Sequence, residues 1–326
     1  MNVLFIGGTG VISSACSELA VQRGVELTLL NRGTSIRPVP VGARTLYTDM
    51  SKPDEVRNAI RGETFDAVVD WIVFTPDQIE RDLELFRGRT GQYIFISSAS
   101  AYQTPPASLP VTESTLLNNP FWAYSQNKIA CEDRLIQVYR EEQFPATIVR
   151  PSHTYDKTML PVAGRYTVID RMRKGKPVIV HGDGASLWTL THHRDFAVGL
   201  VGLLANPHAI GDVFHITSDE ILTWNQIFGI LANAAGVPHP QLAHIASETL
   251  AGYDKEWGDD LLGDKCHSMI FDNSKIRRIV PDFNPRIPFH QGAEEIMAWH
   301  DADPARQIVD EKLNALYDRI IEENFK

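Results

Sequence analysis

Through the first 150 residues, short continuous apolar runs alternate with stretches whose apolar positions recur every three or four residues. Residues 3–6 are apolar without a break and predict a buried strand. Ile12, Ala15, Cys16, Leu19 and Ala20 follow at helical spacing, and Gly24 closes that helix. The same patterning gives strands over 25–30, 44–47, 67–69, 93–96 and 147–149. Helices begin at Pro53 and Pro76, the second ending near Gly88, and a long helix spans 121–142. Strands apolar on both faces and separated by helices predict a parallel sheet covered on both sides. The expected fold class is therefore α/β, a doubly wound parallel sheet.

After Arg150 the pattern loosens, and Pro, Gly and His become frequent. Helices are expected over 165–174, 195–205 and 224–235, with short strands over 178–180 and 213–216. This divides the chain into a sheet-bearing domain over 1–160 and a remainder, 161–326, that is mainly a smaller mixed α/β lobe. That lobe should lie over the carboxyl ends of the strands, with the chain crossing between the two bodies. No internal repeat or low-complexity stretch is visible.

Gly7-Gly8-Thr9-Gly10 sits between the first strand and the first helix. Glycines there let the backbone approach a pyrophosphate, and the helix N-terminus supplies free N–H groups and a positive dipole end. The alternative is a tight turn with no ligand. Ser13 stands where such fingerprints usually have a third glycine, a small change at a packing position. Asn31-Arg32 ends the second strand, where an adenine ribose would lie. An acid there would repel a 2′-phosphate; Asn31 does not, and Arg32 would pair with phosphate or stack on adenine. The cofactor expected is thus NADP or NAD, with a lean to NADP. Asp49, after the third strand, would reach the adenine amino group or cap the following helix.

Tyr124 and Lys128 lie four residues apart on the long predicted helix and share a face. A phenol titrates near ~10, too high for a base at neutral pH. A nearby ammonium and a nicotinamide charge should lower that value. The phenolate would then take a hydroxyl proton while hydride leaves the same carbon. Ser97-Ser98-Ala99-Ser100 ends the fifth strand, where a hydroxyl donor to the substrate oxygen is needed.

Together these motifs resemble the extended short-chain dehydrogenase/reductases, the NAD(P)-dependent epimerase/dehydratase family, built on a Rossmann unit. The resemblance runs through Ser98-Ala99-Ser100-Ala101-Tyr102, Val111-Thr112-Glu113, Tyr124 to Lys128, and Arg150. It continues in Gly182-Asp183-Gly184 and Arg194-Asp195-Phe196-Ala197. It implies catalysis by Ser98, Tyr124 and Lys128, the lysine also binding the nicotinamide ribose. With the turn, it assigns cofactor contacts to Gly7, Thr9, Gly10, Val11, Ile12, Asn31, Arg32, Asp49, Met50, Trp71, Lys128 and His153. Substrate contacts fall to Ser98, Ser100, Glu113, His153 and Trp188. Members commonly pair through the helix bearing Tyr and Lys and the one before it. Ile129, Ile136 and Tyr139 form a second apolar stripe compatible with such a homodimer.

Several positions depart from the family pattern. Asp70-Trp71-Ile72-Val73-Phe74 replaces the usual small residues under the nicotinamide. His153 stands where nucleotide-sugar epimerases usually have Asn. Leu187-Trp188-Thr189-Leu190 lacks the Arg that pairs with a UDP pyrophosphate, so a diphosphate would need Arg165, Arg171, Arg173 or Lys157. Ala99-Ser100 replaces the Asp–Glu pair of the 4,6-dehydratases, which argues against elimination of water. These departures, with Asn31-Arg32-Gly33, resemble a divergent branch that also holds chloroplast stem-loop-binding proteins. His153 offers acid/base or substrate contact, or a backbone hydrogen bond. Trp188 is a wall for a substrate ring or ordinary core. His192-His193 resembles a metal pair, but adjacent strand residues point to opposite faces and no third ligand is in view, so no metal is expected.

The resemblance implies oxidation or reduction at a sugar carbinol, with epimerisation of a nucleotide-linked sugar leading. The alternatives are a carbonyl reductase or dehydrogenase of a free sugar or polyol, and a binding protein that uses the fold for RNA or regulation. Charge bears on the last. A net charge of -10 argues against a nucleic-acid surface. No apolar run reaches the ~20 residues a membrane span needs. Residues 3–6 are no signal peptide, and three scattered cysteines suggest a reducing cytoplasm.

Overall fold

The computed structural model describes residues 1–325. Its first half runs β1 (Asn2–Ile6), α1 (Ser13–Gln22), β2 (Glu26–Asn31), β3 (Arg44–Tyr47), α2 (Pro53–Ala59), β4 (Ala67–Asp70), α3 (Pro76–Phe86), β5 (Tyr93–Ile96), α4 (Ala123–Glu142) and β6 (Ala146–Pro151). It continues through β7 (His153–Tyr155), α5 (Tyr166–Arg173), β8 (Val178–His181), β9 (Leu187–Trp188), β10 (Leu190–His192), α6 (His193–Leu203) and β11 (Val213–Ile216). The remainder is β12 (Leu222–Thr223), α7 (Trp224–Ala234), β13 (Leu242–Ile245), α8 (Ser247–Tyr253), α9 (Lys255–Asp260), α10 (Ser274–Ile279), α11 (Phe289–Asp301) and α12 (Glu311–Asn324).

Seven strands form one parallel sheet in the order β11-β6-β5-β4-β1-β2-β3. Successive side chains of a strand point to opposite faces. Val3 and Phe5 therefore enter a core shared with α1, α6 and α10. Leu4 and Ile6 enter the core on the other face, with Val56, Leu83 and Leu135 from α2, α3 and α4. Burial on both faces is why these strands read as continuous apolar runs. α6, β11 and α10 lie beyond residue 160 yet complete the sheet body. Gly199 makes this close packing possible: a Cβ there would stand 2.8 Å from Ile216 Cγ2.

The long helix starts at Ala123, two residues later than its periodicity predicts. Asn119 Oδ1 accepts the N–H groups of both Phe121 and Trp122, and Trp122 stays extended at φ −125°. α4 is tied to the sheet from below by a buried ion pair. Glu132 receives the Arg150 guanidinium through Nε and Nη2, and the Ser97 hydroxyl, with both charged side chains almost fully buried.

A second core holds Tyr155, Trp188, Trp224 and Phe289 with α5, α7, α8, α11 and α12. Its strands make three two-stranded ribbons, β7–β10, β8–β13 and β9–β12. The chain passes from α9 into one π-helical turn, Leu261–Lys265. This turn docks on the segment before α4: Asn119 Nδ2 donates to Gly263 O at 2.6 Å and to Ser100 O at 2.8 Å. The sheet ends and the second core thus meet around Ser100, Tyr124 and the π turn.

Candidate active site

The turn after β1 is shaped for close approach. Gly7 has φ +89°, and a Cβ there would stand 2.7 Å from Ile72 Cγ2. A Cβ on Gly8 would stand 2.5 Å from Leu29 Cδ2. Ser13 braces the turn: its hydroxyl donates to Gly7 O at 2.8 Å and accepts from Gly10 N at 2.7 Å. Ser17 donates to Gly8 O at 2.7 Å. Ser13 is therefore more than a tolerated substitute for glycine. Thr9 O accepts the Ser35 hydroxyl at 3.0 Å, which draws the loop after β2 over the turn. Among the described residues none accepts the N–H of Val11 or Ile12.

The strand ends beside this turn carry polar atoms that are buried and lack a partner: Asn31 Nδ2, Thr48 Oγ1, Asp70 Oδ2 and Trp71 Nε1. Buried polar atoms are ordinarily satisfied, and Asp70 shares a proton with the neighbouring Asp82 carboxyl, so the other three orphans along one edge of the sheet fit a bound polar ligand. With the glycine cradle they match a dinucleotide. Arg32 is exposed beyond Asn31. Asp49 accepts Ser51 N at 2.9 Å, which holds its carboxyl below the usual range. It does not cap α2, whose N-cap is Lys52. Met50 is buried, and Trp71 is half-buried with its ring near Phe5 and Phe196.

Ser98, Tyr124 and Lys128 come together at the carboxyl end of β5. Ser125 Oγ donates to Ser100 Oγ at 2.7 Å, and Ser100 Oγ lies 2.9 Å from Ser98 Oγ. Ser100 then has its one proton for Ser98, leaving the Ser98 hydroxyl to turn toward the Tyr124 phenol, on which it acts to favour the phenolate. Ser100 lines the cavity, with its hydroxyl engaged by Ser125 and Ser98. Ser125, fully buried one residue past Tyr124, was missed by sequence reasoning. A serine at a helix position that should face the sheet was the only signal.

Lys128 Nζ donates to Val73 O at 2.6 Å and Ile96 O at 2.8 Å and lies 5.7 Å from the Tyr124 ring centroid. Burial pulls Lys128 down to about 8. Tyr124 is not lowered as the sequence predicted. Burial pushes it up, the Ser98 hydrogen bond opposes this, and Asp264 adds to the rise. The phenol is flanked by Trp122 and Phe74 at centroid distances of 4.9 and 6.2 Å.

Tyr124 opens on a cavity of ≈ 360 Å³ that Ser98, His153, Trp188, Asp264 and Lys265 also line. Trp188 is buried in the second core and still walls this cavity; its Nε1–H donates to His153 Nδ1 at 3.2 Å. That bond leaves His153 as the Nε2–H tautomer, and burial drops its pKa to about 3. A histidine neutral at ordinary pH offers a hydrogen bond, not a proton shuttle. Glu113 does not line the cavity. Its carboxylate accepts His215 N at 3.3 Å, and its backbone carbonyl faces Arg150, so it joins the loop to β11. Asp264 and Lys265 were missed because the π turn leaves no periodic trace.

Lys265 supplies the cation absent from the stretch around Trp188. Its ammonium is paired with Asp260 and lies 3.6 Å from Asp264. Arg171 and Arg173 are engaged elsewhere, with Asn314 and Asp318, and with Asp301 and Tyr166. Lys157 and Arg165 line a second cavity of ≈ 1160 Å³ that meets the first at Met159. His192 and His193 do not point apart, because α6 begins at His193; their rings sit 4.8 Å apart, edge to face. Among the described residues no three His, Cys, Asp or Glu side chains gather around one point, and no helix is long and apolar enough to cross a membrane.

The chain is 25% identical over 293 residues to the 2'-dehydrokanamycin reductase of Streptomyces kanamyceticus, covering 88% of this chain and 81% of that one. It is 26% identical over 257 residues to the chloroplast stem-loop binding protein of 41 kDa b of Arabidopsis thaliana, covering 74% and 65%. Its fold matches the UDP-glucuronic acid 4-epimerase of Bacillus cereus, solved with UDP-glucuronic acid and NAD. The TM-score is 0.74 at 19% identity, over 93% of this chain and 99% of that one. Residues 3–217 match the NAD dependent epimerase/dehydratase family. The chain belongs to that family and is an NAD-dependent enzyme of epimerase or oxidoreductase chemistry.

Proposed function

We propose that this enzyme reduces a carbonyl, or oxidises the matching carbinol, on a sugar that carries no nucleotide. The supporting observation is the Ser125–Ser100–Ser98 hydroxyl chain, which ends beside Tyr124 on a cavity whose cation is already paired. Bound nicotinamide supplies or accepts the hydride. The glycine turn, Asn31, Arg32, Asp49, Met50, Trp71 and Lys128 would hold that cofactor. Tyr124, kept protonated by burial, donates its proton to the carbonyl oxygen as hydride reaches the carbon; in the reverse direction it takes the carbinol proton. Ser98 donates to the same oxygen, and Lys128 stabilises the phenolate left behind. The His153 Nε2–H and the Trp188 face orient the ring. NADP is preferred over NAD, because Asn31 offers a donor where an acid would repel phosphate, and Arg32 stands beyond it. Three unpaired cysteines suit a reducing cytoplasm.

A second reading, epimerisation of a nucleotide sugar, has one observation in its favour. Lys157 and Arg165 make no ion pair among the described residues, and their cavity joins the catalytic one at Met159. A nucleotide diphosphate could lie there with its sugar at Tyr124.

The two readings separate in one assay. Ketosugars with NADPH, followed by cofactor absorbance, should show net oxidation of cofactor. UDP- and dTDP-sugars in deuterated water, followed by NMR, should show no inversion. Tyr124→Phe should lose 10²-fold or more of the reductase activity while cofactor affinity stays within about threefold. Inversion at one carbon without net cofactor change would move the assignment to an epimerase. More than about a tenth of activity left in the phenylalanine variant would remove Tyr124 from its role.

A further inference from the structure

The cavity at Tyr124 carries a carboxyl group whose one cation is shared with a second carboxylate. Asp264 lines it from the π turn, and its nearest cation is Lys265 Nζ at 3.6 Å, too far for a good hydrogen bond. Lys265 is itself drawn to Asp260. Other buried carboxylates of this protein are treated differently. Glu132 holds Arg150 and Ser97; Asp82 holds Arg81 and Tyr93. Asp156 holds Arg37 and Thr158, and Asp195 accepts the N–H groups of Arg286 and Ile287. Asp264 instead lines the catalytic cavity, with only the Lys265 ammonium, at 3.6 Å and shared with Asp260, as its ionic partner.

The turn that bears Asp264 is fixed. Asn119 joins Gly263 O to Ser100 O, and a Cβ on Gly263 would stand 2.8 Å from Trp122 Cβ. His181 Nε2, Ser186 Oγ and Trp224 Nε1 all converge on Lys265 O, at 3.0, 3.2 and 3.1 Å. The carboxylate is thus held beside Tyr124 by the same contacts that shape the serine loop. Around it stand Trp122, Met269 and Phe271, which keep the surroundings weakly polar. Locally, one ammonium, Lys265, is shared by two carboxyl groups, Asp260 and Asp264.

We propose that Asp264 makes this cavity select a substrate bearing an ammonium group, an amino sugar, over a neutral or anionic sugar of the same shape. A pyrophosphate entering here would meet two carboxyl groups that already share the one ammonium. An ammonium would instead complete the pairing that Lys265 leaves open. Burial already holds the Asp264 carboxyl up at about 7, and a cation brought beside it favours the ionised form. The groups that act on it are Lys265, Asp260 and Cys266 from its own segment and Tyr124 from α4, while His153 lines the same cavity. This inference rests on the reading that the substrate binds in this cavity.

The test measures binding, by tryptophan fluorescence and calorimetry, to the full chain with and without NADP. The probes are methyl α-D-glucopyranoside, its 2-, 3-, 4- and 6-amino-deoxy analogues, and UDP-glucose. At least one amino analogue should bind about tenfold to a hundredfold tighter than the parent, the strength of a charge-assisted hydrogen bond. That advantage should vanish in Asp264→Asn and in Asp264→Ser, and persist in part in Asp264→Glu. It should remain in Tyr124→Phe, whose loss of turnover bears only on the proton-transfer reading. The proposal fails if no amine outdoes the parent, if the advantage survives in the Asn and Ser variants, or if UDP-glucose binds more tightly than every amine. Absence of binding by all four amines overturns it as well.

Discussion

Lys128 sets the pH behaviour of the site. Its ammonium is buried between the Phe74 and Phe95 rings, at 4.6 and 4.9 Å, and two carbonyl oxygens. Burial depresses its pKa to about 8, so the charge is present below that pH and lost above it. Turnover should therefore fall as pH rises through about 8. Stability should respond in the opposite sense. The folded state releases this proton before the unfolded chain does, near ~10.4, so the Lys128 contribution to stability rises between about 8 and that value. A turnover profile and a thermal-unfolding series over the same pH range would show activity lost without unfolding. Lys128→Arg, which stays charged, should move the alkaline limb upward; an unmoved limb would assign it to another group. Arg32 carries the second prediction at this scale. Arg32→Ala should weaken NADP binding about tenfold and leave NAD nearly unchanged, as titration of each cofactor would show. Equal losses would mean that Arg32 stacks on adenine. The spacing of Tyr124 and Lys128 and the serines after β5 made this constellation legible, because one helix and one strand end carry it. Asp264 was not legible, because it reaches the cavity from 140 positions after Tyr124.

At the scale of elements, periodicity works where an element is long enough to have a period and buries one consistent face. The strands of the sheet and helices α1, α3, α4 and α7 meet that condition. The two-residue strands β9 and β12 and the π turn do not. α4 also shows how a local side chain overrides periodicity, since Asn119 holds Phe121 and Trp122 out of the helix. What keeps α4 in register with the sheet is the Glu132–Arg150 pair. Glu132→Ala would leave a guanidinium that is 3% exposed with its charge uncompensated. The expected cost is about 3–5 kcal/mol, read as a shift in denaturant midpoint at constant slope. Glu132→Gln keeps the hydrogen-bond acceptor and should cost less. A loss below about 1 kcal/mol in the alanine variant would mean that water reaches Arg150 and that α4 is held by its apolar contacts alone.

The whole molecule closes on itself in a way a linear division hides. β11, α6 and α10 return to the sheet body after residue 160, and the cavity is framed by Ser98 and Tyr124 from the sheet body and by Trp188 and Asp264 from the later segments. Oligomerisation is the remaining step, and we propose a homodimer across α3 and α4. This face is laced by the ion pairs Glu80–Arg134 and Arg87–Glu142. The apolar stripe expected along α4 is only partly available: Ile136 packs against the core, and Tyr139 lies over Gly211, where a Cβ would come within 2.2 Å of the ring. Ile129, half-buried, is the member left to meet a partner. A stable interface buries about 1,600 Å² in total, more than one isoleucine can give, so the charged rows on α3 and α4 must be part of it. The dimer should therefore weaken as salt rises, since exposed ion pairs are screened within about 10 Å at 0.1 M. Light scattering at micromolar concentration should give twice the chain mass of 36.5 kDa at low salt. Ile129→Arg should shift it toward one chain without disturbing Tyr124, whose partners lie on the opposite side of α4. A single-chain mass for the unmodified protein at low salt would reject the dimer and leave Ile129 as an ordinary surface residue.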